Sequence, residues 1–211
     1  MSMAIRRRTL RSALSVFALA SVLGLTACGS GSAGPDAQGA ASASASGTPT
    51  PTVDSRPTPA SSTGPARNLP KPELPAAARE NTEAGFRAFT QYWFDTITYA
   101  LETGDTEPLK AASKPDCKIC NGYLDRAVKV SSGEGWESGP RWRVQDFRST
   151  LKLDPLGQAI GYFLLDESAS TRFGKAGEVL KSYEASSSTD PRAIYAIHGP
   201  SGWMTTQAGN A

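Results

Sequence analysis

Apolar residues along this chain follow three regimes. They dominate one uncharged run from Ser12 to Leu25, then almost vanish until about Pro75, and from Ala76 onward return in periodic order. The first periodic stretch has the spacing of a helix. Phe86, Phe89, Trp93, Ile97, Ala100 and Leu101 recur at intervals of three and four, which predicts one amphipathic helix with a single buried stripe. Gly104 after Thr103 suits a left-handed cap, and Asp105 is placed to cap a short second helix carrying Leu109. Ser113-Lys114-Pro115 breaks that helix, and Asp116 opens a third with Ile119, Leu124, Ala127 and Val128 as its apolar positions.

After Ser131-Ser132-Gly133 the period changes to two. Trp142 and Val144 alternate, then Phe147, Leu151 and Leu153 continue on the opposite parity, so a β-bulge is expected near Gln145-Asp146. Asp154-Pro155-Leu156-Gly157 carries the residues of a type I turn. The run Ala159 to Asp166 is apolar on both parities and is expected to be a central strand covered on both faces. Further strands are expected at Val179–Tyr183, at Ala193–His198 and, after Gly199-Pro200-Ser201-Gly202, at Trp203-Met204. Helices followed by a bent antiparallel meander give an α+β class, with three N-terminal helices packed on the sheet.

The two earlier regimes read as an address and a tether. Arg6, Arg7, Arg8 and Arg11 precede the apolar run, whose 14 residues would span about 21 Å as a helix, short of a bilayer core. This is the layout of a signal peptide over residues 1–27. Residues 28–75 consist mainly of Ser, Ala, Gly, Thr and Pro, with Ala41-Ser42-Ala43-Ser44 and Thr48-Pro49-Thr50-Pro51 as examples. Such a segment has too little apolar surface to offset the entropy of ordering, so a disordered tether is expected, about 40 Å end to end as a coil. All four Trp, all six Tyr and six of the seven Phe lie in residues 76–211, which locates the one globular domain there.

Charge follows from the same division. The full chain carries a formal +2, but without residues 1–27 it keeps 18 basic residues against 20 acidic ones. No basic stripe with interleaved aromatics remains, and nucleic acid is excluded as an expected partner.

Three residue sets carry candidate chemistry. Cys117 and Cys120 form a Cys-x-x-Cys at a helix start, and in an exported chain a structural disulfide is the expected state. A redox-active pair is the alternative, as is zinc with His198, but thioredoxin chemistry also needs a strand leading into the motif. His198, the one histidine, is expected at a strand end, either as a surface residue or as a general base beside Asp146 or Asp166. Asp146, at the expected bulge, is a candidate inward-facing carboxylate. Tyr92 and Tyr162 join Asp146 and His198 as candidate pocket residues, against the plainer reading that the tyrosines are core. No cofactor, metal or catalytic set is expected.

Leu25-Thr26-Ala27-Cys28 resembles the bacterial lipobox. That resemblance implies a diacylglyceryl group on the Cys28 thiol, cleavage after Ala27 and anchorage at the outer face of the cell membrane. The passage Tyr99-Ala100-x2-Thr103-Gly104-Asp105-x3-Leu109 resembles the helix turn of the nuclear-transport-factor-2-like cone fold, and the closing Gly202 and Trp203 are similar too. Together these features resemble a family of uncharacterised actinobacterial lipoproteins, which brings no activity with it. The expected function is a membrane-anchored, extracytoplasmic binding or scaffolding module, with a small lyase or isomerase using Asp146 or His198 as the alternative. The expected partners are the membrane through Cys28, an envelope protein or small ligand, and a second copy through the sheet. An outer sheet face carrying Phe163 and Leu165 is the expected docking surface.

Overall fold

A computed structural model describes residues 54–211, so Cys28 and the greater part of the expected tether lie outside the described residues. The order is a 3-10 turn at Ala76–Arg79, then α1 (Glu83–Thr103), α2 (Glu107–Ala111) and α3 (Lys118–Ser131). Eight strands follow: β1 (Gly135–Ser138), β2 (Trp142–Arg148), β3 (Ala159–Glu167), β4 (Ser170–Gly174), β5 (Val179–Tyr183), β6 (Ser186–Ser187), β7 (Arg192–Gly199) and β8 (Gly202–Asn210). The class is α+β with two antiparallel sheets, and the helices sit in the middle of the chain, ahead of the strands.

Helix α1 organises the core. Its N-cap Thr82 accepts from the Gly85 N–H, and Gly104 closes it at φ 81° with its N–H on the Ala100 carbonyl. All six residues of the expected stripe are buried. Phe86 stacks on Trp203 of β8 at 4.4 Å and meets Phe147 of β2 edge-on at 5.2 Å, which fixes the helix against the larger sheet. That sheet runs β2-β3-β7-β8, with β6 beside the end of β3. The smaller sheet runs β1-β4-β5.

The bulge falls where the alternation breaks. Register shifts between Gln145 and Arg148, and Asp146 adopts φ 47°. On the partner strand, Gly161 leaves room for the Phe147 ring, because a Cβ there would stand 2.4 Å from Phe147 Cζ.

Four expectations are corrected. Strand β3 is central but covered on one face only: Ala159, Gly161, Phe163 and Leu165 are buried, whereas Tyr162 is 45% exposed. Phe163 and Leu165 therefore face the core, and Ile160, Tyr162 and Leu164 form the outer face instead. In α3, Ile119 and Val128 are exposed while Cys120, Ala127 and Val130 are buried. Strands β1 and β4 were not expected. Their interiors carry Glu137 and Arg172, which hide the apolar alternation.

The fourth correction concerns where folded structure begins. Residues 54–75 lie against the domain and are not a free tether. Thr58 pairs with Arg67 and Ser61 with Gly64 in a small hairpin. Ala60 and Ala66 are buried with Val130, Trp136 and Phe173 in a second apolar cluster. Ser138 Oγ donates to the Ala60 carbonyl, and the Ala66 N–H to that of Glu102. Small side chains permit this strap because their backbones approach β1 and α1 closely enough to be hydrogen-bonded by them.

Candidate functional site

The described residues enclose a cleft of about 250 Å³ between α1, α3 and the two sheets. Its apolar wall is built by periodicity. Trp93 and Phe94 come from α1, Tyr123 from α3, Trp142 from β2 and Phe163 from β3. The rings brace one another, with Trp93–Tyr123, Tyr123–Trp142 and Phe94–Phe163 all tilted or edge-on at 5.8–6.3 Å.

Two carboxylate–guanidinium pairs flank this wall. Glu137 on β1 is 4% exposed. It accepts from Arg126 Nη2 on both carboxylate oxygens at 2.6 Å and from Arg172 Nε at 3.2 Å. Arg126 sits one helical turn beyond Tyr123, and its guanidinium lies 5.3 Å from the centre of that ring. A carboxylate this deep persists because two guanidinia compensate its desolvation. On the other flank, Trp142 and Glu167 are direct cross-strand partners, and the indole N–H donates to Glu167 Oε2 at 3.2 Å. Arg192 Nη2 stands 3.8 Å from the other oxygen of Glu167. Burial pushes the Tyr123 phenol up, and no hydrogen bond from the described residues acts on it.

The arrangement offers aromatic faces, guanidinium donors and carboxylate acceptors within one concavity. The groups lining it include neither cysteine nor histidine. Its outfit is that of a binding site, with polar groups fixed by mutual pairing and aromatic surface left for contact.

None of Tyr92, Asp146, Tyr162 and His198 lines this cleft. Asp146 is exposed at its bulge, because the bulge turns Val144 and Phe147 inward and leaves the extra residue facing water. Tyr162 stands on the outer face of β3. His198 Nε2 donates to the Arg79 carbonyl at 2.9 Å and packs edge-on against Trp203, so it fastens the 3-10 turn to the β7–β8 hairpin. Tyr92 is half-buried on α1, its phenol pushed up by burial. The structure brings no two of these four together in a cavity. Cys117 and Cys120 form a disulfide, both fully buried beside the α1 core.

The residues that do form the cleft were poorly signalled. Tyr123 and Arg126 are recognisable as a helical i, i+3 pair, and Trp142 was visible as a strand residue. Glu137, Glu167 and Arg192 come from three strands, and nothing in their spacing announces that they meet.

Comparison with known proteins adds the family. No curated protein matches the chain. Among solved structures, the intermembrane space region of the chloroplast protein ARC6 is similar at 12% identity, with a TM-score of 0.44, covering 61% of this chain and 95% of that one. A putative aromatic ring hydroxylase from Novosphingobium aromaticivorans is similar at 13% identity, with a TM-score of 0.36, covering 58% and 85%. Residues 56–209 match a single family along their whole length, strap included, and the chain belongs to that family of unknown function, DUF6318.

Proposed function

We propose that this protein is an exported, lipid-anchored binding module whose cone-like domain receives a ligand in the aromatic cleft. The observation that carries the binding reading is the cleft itself: aromatic walls with an ion pair on either side, Arg126–Glu137 and Glu167–Arg192. Residues so arranged orient a guest through fixed donors and acceptors and hold it through ring contact. The lipobox-like Leu25–Cys28 supports export and anchorage through the Cys28 thiol.

The test is native mass spectrometry of the full chain purified from membranes of an exporting host. A lipid mass on Cys28 and a bound small mass are expected. Cys28→Ser should release the protein into the medium with its cleft ligand unchanged. A chain that is neither lipidated nor membrane-associated would overturn the anchor, and a cleft that retains nothing would overturn the binding role.

A further inference from the structure

The cleft does not end at Trp142. A second, more open depression adjoins that ring, lined by Gln91, Asp95, Arg143 and Asp166 among others, and the two share Trp142, Glu167 and Ser168. A half-buried indole thus stands between two polar concavities, with a carboxylate at its N–H. We propose that the site takes a neutral polyhydroxylated chain, an oligosaccharide, lying across Trp142 with one sugar ring in the aromatic cleft. This inference rests on the binding role proposed above and names its ligand class.

The balance of charge favours a neutral guest. In the aromatic cleft, Glu137 is neutralised by Arg126 and Arg172 together, Glu167 faces Arg192, and Glu184 leaves one carboxylate at the margin. The guanidinia of Arg126, Arg172 and Arg192 thus balance the carboxylates of Glu137, Glu167 and Glu184, and a site of zero net charge favours a neutral guest. A sugar ring meets what it needs. Its C–H face is apolar and packs on an aromatic ring, while its rim of hydroxyls both donates and accepts. Paired side chains serve that rim well: a guanidinium held by a carboxylate keeps spare N–H groups, and Glu167, which accepts from the Trp142 indole, keeps spare lone pairs, at fixed positions. The volume of about 250 Å³ suits one ring rather than several. The continuation past Trp142 is what makes a chain a better fit than a free monosaccharide.

The full-length protein is tested on an array of neutral mono- to tetrasaccharides covering hexopyranoses and pentofuranoses, with tryptophan fluorescence as the solution readout. Retention of at least one oligosaccharide is expected, with affinity rising roughly tenfold from the single ring to the trisaccharide. Trp142→Ala should weaken that binding by about tenfold or more. Glu167→Gln, which keeps an acceptor for the indole, should weaken it several-fold with the urea midpoint unchanged, and Tyr162→Ala on the outer face should leave binding intact. If no saccharide is retained while native mass spectrometry shows a bound small mass of another class, the glycan assignment fails and the binding role stands. If the cleft holds nothing at all, both fail. Saccharide binding indifferent to Trp142 and Glu167 would also overturn the assignment.

Discussion

The indole N–H of Trp136 donates to the carbonyl of Ser61 at 2.7 Å, joining residues 75 positions apart in the chain. Trp136 also stacks on Phe173 at 5.6 Å, so one side chain holds both the small sheet and the strap that covers it. Trp136→Phe should keep the stacking, lose the hydrogen bond and cost about 1 kcal/mol in urea unfolding. Trp136→Ala should cost about 3–4 kcal/mol and open the strap to trypsin after Arg67. Equal cleavage of the variant and the parent would show that the strap is not held through this residue.

Glu137 is the one carboxylate shared by Arg126 and Arg172. Glu137→Gln removes its charge and leaves two guanidinia facing each other at the back of the cleft. The expected loss is about 2–3 kcal/mol, below the figure for a fully buried pair because both arginines reach solvent. Pairing Glu137→Gln with Arg126→Met should recover part of it. A double variant no more stable than the single one would argue that repulsion is not the cause.

The Cys117–Cys120 disulfide closes a very short loop, for which chain entropy predicts a contribution of about 2 kcal/mol. Both cysteines are fully buried, so mild reductant should leave the folded protein oxidised, and reduction should follow unfolding. Thiol labelling against urea concentration measures this. Rapid reduction of the native protein would instead mark the pair as redox-active.

Asp146 pays a backbone cost at φ 47° that glycine would not. Asp146→Gly should be neutral or stabilising by up to about 1 kcal/mol, and Asp146→Val destabilising by about 1 kcal/mol or more. Binding in the cleft should be unchanged in both variants, since Asp146 lies outside it.

Asp105 gives the pH dependence a definite sign. Burial pushes its carboxyl up, but the Glu107 N–H at 3.0 Å and the Lys71 ammonium at 3.0 Å together outweigh that and hold it below the ordinary carboxylate range. A depressed folded value means that the contribution is complete above about pH 4, the unfolded value, and is lost as pH falls through the lower folded one. Asp105→Asn should therefore flatten the acid side of the stability curve and leave the alkaline side alone. Unfolding followed from about pH 2 to pH 10 distinguishes the two limbs.

The α1 stripe was legible because helical periodicity and burial coincide at Phe86 through Leu101. The bulge at Asp146 was legible for the same reason, since a change of parity in a strand has few other causes. What escaped reading did so physically. Ala60 and Ala66 are core residues of a segment whose composition resembles a linker, and small side chains contribute almost nothing to a hydrophobic pattern. Glu137 and Arg172 disguise β1 and β4 because a charge paired with a distant charge cannot be told from a solvated one. Tyr162 was placed inside because Phe163 and Leu165 were read as the outer face; in a strand apolar on both parities the pattern does not say which parity is buried, and the structure has the reverse.

The gap at Gly161 also sets the dimensions of the cleft. Phe147 fills that gap, Phe163 stacks against Phe147 at 6.4 Å, and Phe163 is part of the cleft wall. The cavity therefore rests on a column of two rings standing on an absent methyl. Lengthening or shortening that column, through Gly161 or Phe147, would raise or lower the floor without altering a single polar group at the mouth. Related chains could in this way accept guests of different thickness while keeping the same two ion pairs, and selectivity would be tuned from the foundation of the site.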